Sequence, residues 1–128
     1  MVKAKILVVD DERIIANDIQ DMLKDMGYDV PAIASSGEEA IKKAEEIKPD
    51  LVLMNIGLKG DMDGIDAAVH IHNRFDIPVV YVTAYMDEKR LERAKVTKPF
   101  GYIIKPFEDK ELASAIEKAL GGNHKERL

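Results

Sequence analysis

Three short runs in this sequence, Ile6–Val9, Leu51–Met54 and Val79–Val82, are apolar at every consecutive position rather than at alternate ones. A strand of that kind is buried on both faces, which calls for a parallel sheet with helices packed above and below it. Two further β-prone stretches, Val30–Ala34 and Tyr102–Ile104, bring the set to five, and amphipathic segments separate them. Val30–Ala34 contains Pro31, which has no N–H to give to a ladder and so belongs on a sheet edge.

The order 2-1-3-4-5 puts the second strand at an edge, so the expected fold is α/β: a flavodoxin-like, doubly wound, five-stranded parallel sheet in a three-layer αβα arrangement. Helix signals fit between the strands. Ile15, Ile19, Met22, Leu23 and Met26 share one face, and Gly27 follows as a C-cap. Ser36 with Glu39 three residues on reads as a capping box, with Ala40, Ile41, Ala44 and Ile47 inward and Pro49 as the stop. A third helix is expected over 65–75, capped by the polar loop Asp61-Met62-Asp63-Gly64. A fourth, around 87–94, offers only Leu91 and Ala94 to a core and should be weakly held. The last carries Leu112, Ile116, Ala119 and Leu120 and is expected to end at Gly121-Gly122. That gives one domain over 1–122, with 123–128 as a polar tail or the start of a linker.

Composition narrows the function. The 128 residues suffice for one compact domain, and 46% hydrophobic against 34% charged residues describes a globular chain with a real core. There is no cysteine, which removes disulfides and thiolate metal sites and suits a cytoplasmic location. A net charge of −5 argues against direct nucleic-acid binding. No stretch is long and apolar enough to suggest a membrane span, and the first apolar run stops at Asp10-Asp11-Glu12, unlike a leader.

In an open α/β sheet, ligands bind beyond the carboxyl ends of the strands. The residues found there are Asp10 and Asp11 after the first strand, Asn55 after the third, Thr83 and Ala84 after the fourth, and Lys105-Pro106 after the fifth. Singly, each has a bland reading. An acid pair can cap a helix, a Thr can end a strand, a Lys before Pro is unremarkable and an Asn can form a turn. Together they place two carboxylates, an amide, a hydroxyl and an ammonium around one crevice. Paired carboxylates suit Mg²⁺, a hard ion that prefers oxygen. A hydroxyl and an ammonium suit the oxygens of a phosphoryl group. Arg90, Arg93, Lys95 and Lys98 read as a solvated basic face. His70 and His72, two apart on a helix, do not converge on one ligand.

The motifs Ile-Leu-Val-Val-Asp10-Asp11-Glu12, Pro49-Asp50-Leu-Val-Leu-Met-Asn55, Met62-Asp63-Gly64, Val-Thr83-Ala84 and Tyr102-Ile-Ile-Lys105-Pro106-Phe107, in that order, resemble the response-regulator receiver domain over nearly the whole chain. The resemblance implies a two-component phosphorelay module rather than an enzyme. Asp10 and Asp11 would match the Mg²⁺-binding pair, with the residue at 55 and the backbone carbonyl of Gly57 as further ligands. Thr83 and Lys105 would contact the phosphoryl group, Thr83 and Tyr102 would form the switch pair, and the Lys105–Pro106 bond would be cis. The implied partner is a histidine kinase or phosphotransfer domain. The face made by the fourth helix, fifth strand and fifth helix would serve self-association. The chain is expected to be a stand-alone receiver or one domain of a longer protein.

Two departures stand out. The loop from Asn55 to Gly64 is one residue longer than the common form. The acceptor position holds Asn55, and a neutral carboxamide is a poor nucleophile where the family uses a carboxylate. Two other readings remain: a phosphorylation-independent pseudo-receiver, and a phosphatase on a flavodoxin-like fold. The second is weakened because its Asp-x-Asp pattern is absent: here the acids are adjacent.

Overall fold

The computed structural model describes residues 4–84, 88–96 and 101–125. In chain order it has β1 (Ile6–Val9), α1 (Arg13–Asp25), β2 (Ile33–Ala34), α2 (Gly37–Ile47), β3 (Leu51–Asn55), α3 (Gly64–Phe75), β4 (Val79–Ala84), α4 (Glu88–Val96), β5 (Gly101–Lys105) and α5 (Asp109–Lys125). The sheet runs β2-β1-β3-β4-β5 and every pairing is parallel, the flavodoxin-like doubly wound order.

The consecutive apolar runs become legible once the faces are separated. Leu7, Val9, Val52, Met54, Val79 and Tyr81 point into one core layer, shared with Ala40 and Ala44 of α2 and Ile65, Ala68 and Ile71 of α3. Ile6, Val8, Leu51, Leu53 and Val80 point into the other, with Ala16, Ile19 and Leu23 of α1 and Leu112, Ile116 and Ala119 of α5. Period-two alternation is intact; both sides of it are oil. Each of the buried Val, Leu, Ile and Met side chains contributes on the order of 1.5–3 kcal/mol by leaving water.

Helix α1 ends as its glycine suggests. Gly27 has φ +96°, and the N–H groups of Tyr28 and Gly27 donate to the carbonyls of Leu23 and Lys24, a Schellman closure. The Ser36 box forms by half. Ser36 Oγ accepts from Glu39 N–H, but the Glu39 carboxylate reaches Ser35 N–H and Oγ instead of the N-cap's own N–H. Helix α3 has the full reciprocal box, Asp63 with Asp66.

Two boundaries differ from expectation. β2 covers only Ile33–Ala34, not Val30–Ala34. Asp29 already bonds β1 on both sides, to Ala4 O and from Ile6 N–H, and the next donor in a parallel ladder falls at 31. Proline has no N–H to offer there, so pairing lapses and resumes at Ile33. Helix α5 continues through Gly121-Gly122 to Lys125, past its expected end. Glycine weakens a helix by about 1 kcal/mol but does not end one unless it turns to positive φ, as Gly27 does and Gly121 does not. Asp87, Lys98 and residues 126–128 lie outside the described residues, as do the side chains of Ala84 and Leu91.

Candidate functional site at the carboxyl edge of the sheet

Among the described residues the buried polar or charged side chains are Asp10, Asn55 and Thr83, exposed by 1%, 8% and 1%. All come from the carboxyl ends of adjacent central strands, β1, β3 and β4. Burying a charge or an amide is costly unless each is partnered. Asp10 and Asn55 are partnered with each other and with neighbouring groups.

Asp10 is at the centre. Its Oδ1 accepts the Glu12 backbone N–H at 2.9 Å and Asn55 Nδ2 at 3.4 Å, while Oδ2 takes the Lys105 ammonium at 3.3 Å. Asn55 Nδ2 also donates to Asp11 Oδ1 at 3.3 Å, and Asn55 Oδ1 accepts the Gly57 N–H at 3.3 Å. No buried side-chain nitrogen or oxygen among the described residues is left without a partner. Lys105 arrives from the end of β5, its side chain 22% exposed, so its charge is delivered to the crevice while part of the stem stays wet. Lys105–Pro106 is cis, as the resemblance implies.

The amide of Asn55 thus occupies the place between two carboxylates where electrostatics would favour a cation. Like charges held close together near a protein surface repel each other. A pair of N–H groups relieves this without adding a third negative charge. The donor chemistry still fits a hard divalent ion, since Asp10 and Asp11 supply carboxylate oxygens and no soft ligand intrudes. As observed, Asn55 presents nitrogen and not oxygen towards the acids, so those two residues would carry the binding. The Gly57 N–H is in use; a role for its carbonyl rests on the resemblance.

Around this centre the chain is tightly fitted. A β-carbon at Gly64 would overlap the Asn55 carbonyl, and Gly64 N–H bonds Ile56 O at 3.1 Å. The loop between β3 and α3 is pinned by Leu58, which is buried, and by Met62, which lies against Gly37 at the start of α2. Tyr102, on edge strand β5, is 44% exposed, with Lys95 Nζ 5.4 Å from its ring centroid.

The Response regulator receiver domain model matches residues 6–117. This chain belongs to the response regulator receiver family. The domain is 38% identical over 119 residues to the transcriptional regulatory protein PdtaR of Mycobacterium tuberculosis, covering 93% of this chain and 58% of that protein. It is 36% identical over 120 residues to the response regulator protein VraR of Staphylococcus aureus, covering 92% and 57%. The chain therefore spans a little over half the length of these curated relatives. The crystal structure of the signal receiver domain of a modulated diguanylate cyclase from Desulfovibrio desulfuricans G20 superposes with TM-score 0.91 at 33% identity, covering 98% of this chain and 99% of that one.

The receiver crevice brings together Asp10, Asp11, Asn55 and Lys105, with Thr83 buried at the end of β4 beside them. Sequence reasoning missed the Glu12 N–H on Asp10 and the fit of Gly64. It read Arg93 as part of a solvated face, and Arg93 is indeed exposed, but its ion pair with α3 was missed. Arg93 Nη1 lies 3.1 Å from Asp63 Oδ2, and Nη2 lies 3.1 Å from Asp66 Oδ1. The i, i+3 acids at the start of α3 were visible in the sequence, but nothing local tied them to a residue 30 positions away. Burial would raise the Asp63 carboxyl; the Asp66 N–H, the hydrogen bond and charge of Arg93, and the Ile65 N–H outweigh it and hold that carboxyl below the usual range.

Proposed function

We propose that this receiver domain acts as a phosphorelay module whose acceptor position is chemically silent, engaging its partner without taking phosphate at residue 55. The observation that carries this reading is the Asn55 amide donating to both Asp10 and Asp11. A carboxylate at 55 would attack phosphorus and carry the phosphoryl group as a mixed anhydride. The amide nitrogen's lone pair is delocalised into its carbonyl, and both of its N–H bonds point at the acids. Asp10 and Asp11 would still hold Mg²⁺, which, when bound, offsets charge on phosphate oxygens. Thr83 and Lys105 stand where a phosphoryl group would need a hydroxyl and an ammonium.

The partner in this reading is a histidine kinase or phosphotransfer domain, and the setting is cytoplasmic. Exposed Tyr102 and Ile104 on β5, flanked by α4 and α5, make that face the candidate surface for self-association or partner docking. Arg93, held by Asp63 and Asp66, is not counted among its docking charges. Intact-mass spectrometry after incubation with acetyl phosphate and Mg²⁺ tests the silence of position 55. The chain should gain no phosphoryl mass and Asn55→Asp should gain one hydroxylamine-sensitive group. Modification of the Asn55 chain, or none of the variant, overturns the reading.

A further inference from the structure

Two charged side chains of helix α4 reach neighbouring elements. Among its described side chains Ala94 is the buried one, while Lys89, Arg90, Glu92, Arg93 and Lys95 are exposed. Arg93 and Lys95 are two apart, so they leave the helix on different sides. Arg93 reaches α3: Nη2 donates to Asp63 Oδ1 at 3.2 Å and Asp66 Oδ1 at 3.1 Å, and Nη1 faces Asp63 Oδ2 at 3.1 Å. Lys95 reaches β5, over the ring of Tyr102.

Asp63 is no ordinary surface acid. It is the N-cap of α3, and the next residue, Gly64, is packed without clearance on the Asn55 carbonyl. Any shift of the backbone at 55–56 must move Gly64, and with it the carboxylate that Arg93 grips in a two-pronged, orientation-fixing contact.

We propose that Arg93 with Asp63 and Asp66 forms a charge clamp that makes α4 and the loop after residue 55 one mechanically coupled, salt-sensitive unit. The clamp is a feature of the Asn55 chain itself and does not rest on phosphorylation. It supplies a path from the crevice to α4 besides the Thr83–Tyr102 switch that the resemblance implies. Because its members are partly exposed, it is a weak tether and therefore a releasable one.

Amide hydrogen exchange on the Asn55 chain tests this, with Arg93→Gln and the double variant Asp63→Asn/Asp66→Asn. Asparagine keeps the capping oxygens of α3 but drops the charges. Exchange across 88–96 should quicken by roughly twofold to fivefold in either variant. The triple variant should add nothing further in α4, and α1 should be unchanged. Raising salt should bring the parent towards the variants and leave Arg93→Gln nearly unmoved. Unaltered α4 exchange in both variants overturns the clamp. So do additive effects in the triple variant, or loss of protection spread evenly over all helices, which would make Arg93 a general stability residue.

Discussion

β3 and the described side chains of α4 are held in place in contrasting ways. Every residue of β3 is buried, with Val52 and Met54 in one core layer and Leu51 and Leu53 in the other. Helix α4 shows one buried side chain among those described, Ala94, and its exposed Arg93 and Lys95 make charged contacts with α3 and β5. Dense apolar packing has one arrangement and resists displacement. Charged contacts at a wet surface are worth little each and exchange readily with water. The difference teaches which part of a receiver fixes the geometry at Asp10 and Asn55 and which part is free to respond.

The largest effect should come from the rigid side. Leu53→Ala, a fully buried position, should lower unfolding free energy in urea by about 2–5 kcal/mol. A loss no greater than that of an Arg93 variant would break the comparison.

Next, Gly64→Ala forces a β-carbon onto the Asn55 carbonyl, so α3 or the β3 end must shift. A loss of about 1–3 kcal/mol is expected, together with amide chemical-shift changes at Asp10 and in α4. Shifts confined to 62–66 would show that the loop absorbs the strain without passing it on.

Acid sharpens the role of Asp63. Its folded carboxyl sits below the ordinary value, so the unfolded chain binds more protons there as pH drops. The stability it brings is full above the unfolded value of roughly 4 and is lost as pH falls through the lower folded one. Urea midpoints measured down this range should fall less steeply in Asp63→Asn than in the parent; parallel curves would remove Asp63 from the account.

The smallest effect belongs to Arg93→Gln, which should cost under about 1 kcal/mol globally despite its local consequence for α4. A loss comparable to Leu53→Ala would mean that α4 is part of the rigid frame.

The strands were readable because burial on both faces leaves a mark at single residues: Ile6–Val9 and Leu51–Met54 admit no polar position. The crevice was readable because strand ends are fixed points in a parallel sheet, so Asp10, Asn55, Thr83 and Lys105 could be gathered before any distance was known. Legibility failed where the deciding partner was remote or the preference slight. Pro31 marked an edge, but the truncation of β2 depended on which N–H the ladder needed next. Gly121 looked like a stop because glycine permits the ending it does not compel. Arg93 found its acids across the fold. The amide of Asn55 could be named as a lost nucleophile, yet its place between two carboxylates is a matter of three-dimensional arrangement.

That placement is the centre of the account, and Mg²⁺ affinity tests it most directly. Amide shifts near Asp10 and Gly57 would be followed during Mg²⁺ titration of the Asn55 chain and of Asn55→Asp. Exchanging an N–H donor for a negative charge at a site that attracts a divalent ion electrostatically should tighten binding on the order of tenfold or more. The parent should show weak binding that still depends on Asp10 and Asp11. Equal affinities for the two chains would contradict the claim that the residue at 55 sets the charge of an otherwise complete receiver site.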